Sequence, residues 1–274
     1  MIQSRAMLAN LSISQWTARK LDRQVTKEVE TIHAAHHAGR FNKLLVSKSL
    51  LDPVAKLTGQ IRDYHYSVTL PWADSGPRLL PSKLFMSYTD RMRKFRQDFE
   101  ALVGELTQKY PNEVQAARNR LGTMYRPEDY PDATDIRKRF DLAVDFTPVP
   151  DANDFRVDVA TEAQKELRES VTRAVAARQA AAVKATYERV REVVSKIAER
   201  LGDEKAVFKN SLIDNARDLC DVLSALNITD DPALSAIEQA IRQRLLVDPD
   251  VVRNSKRLRA ETAAAANEIL RTIP

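Results

Sequence analysis

Apolar residues recur along most of this chain at the three- and four-residue spacing of amphipathic helices. Leu21, Val25, Val29 and Ile32 form the first such stripe, within a helix expected from about Ser14 to Ala38 with Gly39 as its stop. A shorter helix is predicted through Phe41 to Ser49. Asp52-Pro53 reads as a cap followed by proline at the first helical position, opening a helix through Leu57 and Ile61 to about Tyr66. Thr69 to Pro81 is a loop, LPWADSGPRLLP, with three prolines and a glycine. Ser82 then caps a long helix with a core stripe of Leu84, Tyr88, Phe95, Phe99, Leu102, Leu106 and Tyr110. Pro111 is expected to start another short helix ending at Gly122, and MYRPEDYPDATD is a second loop.

The period changes at residues 141–159. Leu142, Val144 and Phe146 alternate with polar or small residues, as do Phe155, Val157 and Val159, with PVPDAND between them. This predicts a small two-stranded hairpin, which is marginal alone and must pack on helices. From Asp151 to Leu201 the chain has neither glycine nor proline, and a helix is predicted from about Thr161 to Leu201, roughly 60 Å long. Val183, Tyr187, Val190, Val194, Ile197 and Leu201 make a coiled-coil-like seam, to be buried against another helix in the same chain or in a second copy. Leu167, Val171 and Ala174 make a similar seam out of register with it, the slip falling in ARQAAAVKA. Asp203 is expected to cap a helix containing Phe208, Leu212 and Leu219. Asp231-Pro232 and Asp248-Pro249 repeat the cap-then-proline signal, and a last helix starts near Ser255.

The expected fold is therefore mainly α: long antiparallel helices, one extended helical arm and a small β-hairpin. Three segments, 1–140, 141–160 and 161–274, are read as parts of one continuous architecture.

Composition narrows the function. Only six glycines occur in 274 residues, each far from the next, which excludes a P-loop or a dinucleotide fingerprint. Cys220 is the single cysteine and sits at helical spacing with Leu219 and Leu223, as a small core residue does. No uncharged run approaches the ~18 residues of a membrane span. MIQSRAMLANLSIS lacks an apolar signal core, so a soluble, intracellular protein is expected.

Charge is uneven. Residues 1–96 carry 16 Lys and Arg against 7 Asp and Glu, a net +9, and the remainder carries 27 against 31, a net −4. The front third is where a polyanion would bind. Arg19, Arg23 and Lys27 recur every four residues, and a helix already formed at Trp16 would put its indole on the same face, as a base-stacking or partner-binding surface requires. Arg91, Arg93, Lys94 and Arg96 form a second cluster, and Trp72, Arg78 and Lys83 mark the LPW loop. His33 and His37 share a helix face, but the glutamate expected beside a zinc pair is replaced by Ala34, so no metal is expected. Glu128, Asp129, Asp132 and Asp135 lie beside Pro127 and Pro131 and read as turn and cap residues. His65, between Tyr64 and Tyr66, has no nucleophile partner by spacing and reads as packing under the LPW loop. Catalytic residues and cofactors are expected to be absent.

WTARKLDRQVTKEV (16–29), YHYSVTLPWADSGPRLLPS (64–82), FTPVPDANDFRVD (146–158) and NITDDPAL (227–234) resemble, in order over nearly the whole chain, a family of phage and prophage proteins classed as a domain of unknown function. The resemblance implies a phage or mobile-element origin and the host cytoplasm as its place. Genes of that family often lie near a MoxR-type AAA+ ATPase and a von Willebrand factor A protein, which implies an accessory role beside an ATPase. It defines no catalytic residues. The expected function is a non-catalytic binding or adaptor protein engaging protein partners through its long helices and LPW loop. The alternative is a sequence-independent, single-stranded nucleic-acid binder using the basic front third. A metal-dependent nuclease ranks third.

Overall fold

The fold, taken from a computed structural model, is described over residues 2–152, 161–203 and 205–274. It is mainly α, 68% helical with a small antiparallel sheet. Two compact units share the chain without following its order. One comprises Met1–Asn10, Tyr64–Tyr88 and Asp145–Pro274, and the other Leu11–Asp63 and Thr89–Val144. The expected front segment, 1–140, thus contributes to both.

The first unit is built on α5 (Thr161–Gly202). Its expected seam is core: Tyr187, Val190, Val194, Ile197 and Leu201 are buried among α6 (Ser211–Leu226), α7 (Pro232–Arg244) and α9 (Lys256–Thr272), with the short α8 (Pro249–Asn254) beside α9. Alanines 263, 265 and 266 of α9 allow close approach. The out-of-register stretch behaves differently: residues 162–181 of α5 contain no buried side chain, and Leu167 is exposed. The cap-then-proline signals at Asp231-Pro232 and Asp248-Pro249 hold, and Ser255 caps the last helix. Asp231 accepts from the Ala233 amide, Asp248 from those of Asp250 and Val251, and Ser255 from that of Leu258. Asp203 does not open a helix; α6 begins at Ser211, after Phe208 has turned into the core. Cys220 is fully buried, and burial pushes its thiol up to about 11.

A three-stranded sheet places β1 (Ala6–Ser14) between β4 (Arg78–Pro81) and β5 (Asp141–Pro148). β1 and β4 pair antiparallel, Ala6 with Pro81 through Ala9 with Arg78. β1 was not anticipated, although Leu11-Ser12-Ile13-Ser14 alternates as a strand does. β5 is the first strand of the expected hairpin; the second, Phe155 to Val159, lies outside the described residues.

In the second unit the expected first helix is shortened at both ends. Ala18 takes a positive φ of 50°, and the chain continues as β2 (Arg19–Leu21) paired with β3 (Asn42–Leu44), where a helix through Phe41 was expected. Between them, α1 spans only Arg23–Ile32. Conversely, two expected breaks are absent. α2 (Lys48–Val68) runs through Pro53, and α3 (Phe85–Leu121) runs through Pro111. Pro53 gives up one backbone bond, to the Ser49 carbonyl, in a helix whose Val54, Leu57 and Ile61 are buried. At Pro111 the buried Leu106 and Tyr110 before it, and Ala117 and Leu121 after it, outweigh one missing backbone bond. The α3 stripe of Phe95, Phe99, Leu106 and Tyr110 is core, as its spacing predicts. α4 (Ala133–Arg137) is a single turn holding the buried Ile136. No helix among the described residues is long and apolar enough to cross a membrane.

Candidate binding surface

α1 buries no residue at all. Of the apolar stripe that spacing alone assigns to a core, Leu21, on β2, and Val25 are half-buried, while the C-terminal half faces solvent: Val29 is 48% and Ile32 76% exposed. What holds α1 in place is polar. Asp22 caps it, Oδ1 accepting from the Val25 amide at 3.1 Å, and this bond, reinforced by Lys43, holds the Asp22 carboxyl below the usual carboxylate range against the opposing effect of burial. Lys43, on β3, is buried between two acids. Its Nζ lies 3.2 Å from Asp22 Oδ2 and 2.7 Å from Asp129 Oδ2, and it donates to the Met124 carbonyl at 2.8 Å. Asp129 Oδ2 has no aligned hydrogen-bond donor, so its contact with Lys43 is an ion pair of short distance and poor direction. Arg126 donates to Gln24 at 3.1 Å.

The other end of α1 is fastened by the loop that follows it. His33 ends the helix, and Ala34 and His37 take positive φ values of 47° and 55°, turning the chain back. The His37 amide donates to Glu30 Oε1 and the Phe41 amide to Thr26 Oγ1, both at 3.0 Å, and the Asp22 amide donates to the Phe41 carbonyl at 2.9 Å. Because the helix stops at Ile32, His33 and His37 are not one turn apart on a helix. Among the described residues no group of three or more His, Cys, Asp or Glu could hold a metal.

This loop and α1 enclose two adjoining clefts. One, of about 340 Å³, is walled by Val29, Ala35, Ala38 and Phe41, with Thr26 and His33 at its edge. The other, of about 510 Å³, is lined by Arg23, Lys27 and Arg40 together with Leu21 and His37. Thr26, Glu30, Gly39 and Arg40 are common to both.

The remaining candidates are dispersed. Trp16 is not on a helix: it is 7% exposed and meets the Tyr110 ring edge-on at 5.8 Å, so the expected face combining Trp16 with Arg19, Arg23 and Lys27 does not form. Arg19 lies on β2, exposed, while Arg23 and Lys27 remain together on α1. Trp72 is 4% exposed, in a core with Leu70, Leu79 and Leu226, and the Arg178 guanidinium sits 5.4 Å from its ring centre. The LPW loop therefore presents no indole to a partner. Arg78 braces the end of α2. It donates to Thr69 Oγ1 at 2.8 Å and to the Thr69 carbonyl at 3.2 Å, and lies over the Tyr66 ring. Arg189 joins it there, donating to the Tyr66, Ser67 and Thr69 carbonyls. Beneath them the buried His65 shares a 2.8 Å hydrogen bond with the Tyr88 hydroxyl, and burial, helped by Arg78, pushes its imidazole down to about 4.

On α3, Arg91 lies over the Phe95 ring at 4.5 Å and Arg93 pairs with Asp90 at 2.8 Å. Arg96 opens instead onto a third cleft, of about 460 Å³, with Arg137, Phe99 and Phe140. Sequence reasoning missed Arg40, Lys43 and Asp129. Arg40 carried a local signal, being a cation just past Gly39 on the basic front third, whereas nothing near Lys43 or Asp129 announces a pairing 86 residues apart in the chain.

No protein-family model matches the chain, and no curated protein and no solved structure is similar to it.

Proposed function

We propose that the chain is a non-catalytic binding or adaptor protein and that α1, with the loop folded back on it, is where a protein partner docks. The observation that carries this reading is the uncovered apolar face of α1, exposed at Val29 and Ile32. An amphipathic helix normally forms because burying its apolar stripe outweighs the cost of ordering it. Here a buried ion-pair cluster and loop hydrogen bonds order it instead, leaving the stripe free. An apolar patch rimmed by polar residues is what a partner surface needs. The resemblance to phage proteins encoded near an AAA+ ATPase and a von Willebrand factor A protein names two classes of partner and the host cytoplasm as the setting.

The test is comparative purification. A tagged chain and its Val29→Gln/Ile32→Gln variant are recovered from the same producing cells. The reading expects a protein held by the first and lost from the second. Identical sets of co-purifying proteins would overturn it.

A second reading, sequence-independent binding of single-stranded nucleic acid, is favoured by the cleft that Arg96, Arg137 and Phe140 line, with Glu100 and Asp141 also in its lining. It expects binding at low salt that weakens steeply as salt rises, and loss of that binding in Arg96→Glu/Arg137→Glu.

A further inference from the structure

We infer that the partner segment received at α1 is an acidic peptide with one large apolar anchor. This rests on the reading that α1 is a docking surface and adds the chemistry it selects. The two adjoining clefts divide the task. The smaller has Val29, Ala35, Ala38 and Phe41 in its lining, beside Thr26, Glu30, His33 and Arg40. Its apolar part takes a Leu, Ile, Met or Phe side chain. The larger brings Arg23, Lys27 and Arg40 to one place. None of the three has a carboxylate within ion-pair distance among the described residues, whereas ten cations elsewhere pair with an acid one helical turn away. Glu30 and Glu28, the nearby acids on α1, are engaged within the chain, Glu30 by the His37 amide and Glu28 by Gln24. The shared edge, Thr26 to Arg40, sets the apolar slot directly beside the cations. A segment seated by its anchor therefore carries carboxylates on the flank that meets them. A second copy meeting this face on a two-fold axis through it would set the same cations against themselves.

Random twelve-residue peptides selected on the full chain, with counter-selection on Val29→Gln/Ile32→Gln, read this directly. Selected peptides are expected to carry net negative charge and a single Leu, Ile, Met or Phe anchor. A selected peptide should lose at least about tenfold in affinity on Arg23→Glu/Lys27→Glu, with hydrogen exchange of the α1 amides showing that the helix is kept, and should lose it likewise on the uncharged Arg23→Gln/Lys27→Gln. Peptides that need Val29 and Ile32 but are neutral or basic, and bind the charge-reversed variant equally, overturn the inference and leave the docking reading standing. No peptide sensitive to Val29 and Ile32 overturns both. Twenty-nucleotide oligo(dT) bound through Arg23 and Lys27, or a dimer in sedimentation abolished by Val29→Gln/Ile32→Gln, assigns the surface to nucleic acid or to a second copy and also overturns the inference.

Discussion

At the residue scale, two buried groups set how the chain responds to acid. His65 is held neutral in the fold, its imidazole down near 4 against an ordinary 6.5. Its folded pKa is depressed, so above pH 6.5 it is neutral in both states and costs nothing. As the pH falls from 6.5 towards 4, the unfolded chain takes up a proton that the fold refuses, and stability falls by up to about 3 kcal/mol. Asp22 acts in a lower window: its depressed carboxyl contributes stability at neutral pH that is lost only as the pH drops below 3.8. Urea titrations at pH 7 and pH 5 should show the histidine loss. In His65→Leu the difference between the two pH values should shrink, although the variant is weaker at both because Tyr88 loses its partner. An undiminished difference would place the acid sensitivity elsewhere. From sequence, His65 between two tyrosines was legible as a packing residue, but its partner Tyr88 was legible only as a member of the α3 stripe.

At the scale of elements, apolar stripes within one helix were legible, whereas several helix ends and the long-range pairings were not. The α3 stripe, the α5 seam and the caps at Asp231 and Asp248 each lie within a few turns of one helix, so periodicity and capping chemistry reveal them. The same signal at Asp52-Pro53 misleads, because α2 already runs from Lys48. Periodicity does not say what covers a stripe. Leu21, Val25, Val29 and Ile32 have the same spacing as the α5 seam, yet the first is open at Val29 and Ile32 and the other is core. The difference comes from Lys43 and Asp129, whose pairing no local pattern predicts. Two variants separate the two helices. Val190→Asp places a charge in the fully buried α5 seam and should cost several kcal/mol, lowering the melting temperature by many degrees. Lys43→Met leaves Asp22 without its cation and Asp129 with only the Lys20 ammonium, 4.0 Å away. It should cost about 3–5 kcal/mol and expose the α1 amides to hydrogen exchange. Adding Asp22→Asn and Asp129→Leu should restore most of the loss, since Asn still caps the helix and no buried charge remains. If Lys43→Met leaves α1 protected, the ion-pair cluster is not what orders it.

At the scale of the whole molecule, the charge asymmetry read from the sequence bears on what the exposed face of α1 selects. The net +9 of residues 1–96 includes the Arg23, Lys27 and Arg40 cleft, so a surplus visible in composition became a surface only once the loop after α1 brought Arg40 to the others. The tryptophans point the other way. Trp16 and Trp72 were candidate contacts because exposed indoles favour binding, but each is large enough to be worth more inside, and each is core. The mainly α class was legible from spacing throughout. The division into two units was not, because it depends on which distant segments return to one another: residues 64–88 join the same unit as residues 145–274. The central claim is that the α1 stripe belongs to a partner and not to the core, and the melting temperature of Val29→Gln/Ile32→Gln tests it most directly. Substitutions on a free surface change stability by within about 0.5 kcal/mol each, so the account predicts a shift of no more than about 3 °C. A fall as large as that of Val190→Asp would show that the stripe is core and would contradict the account.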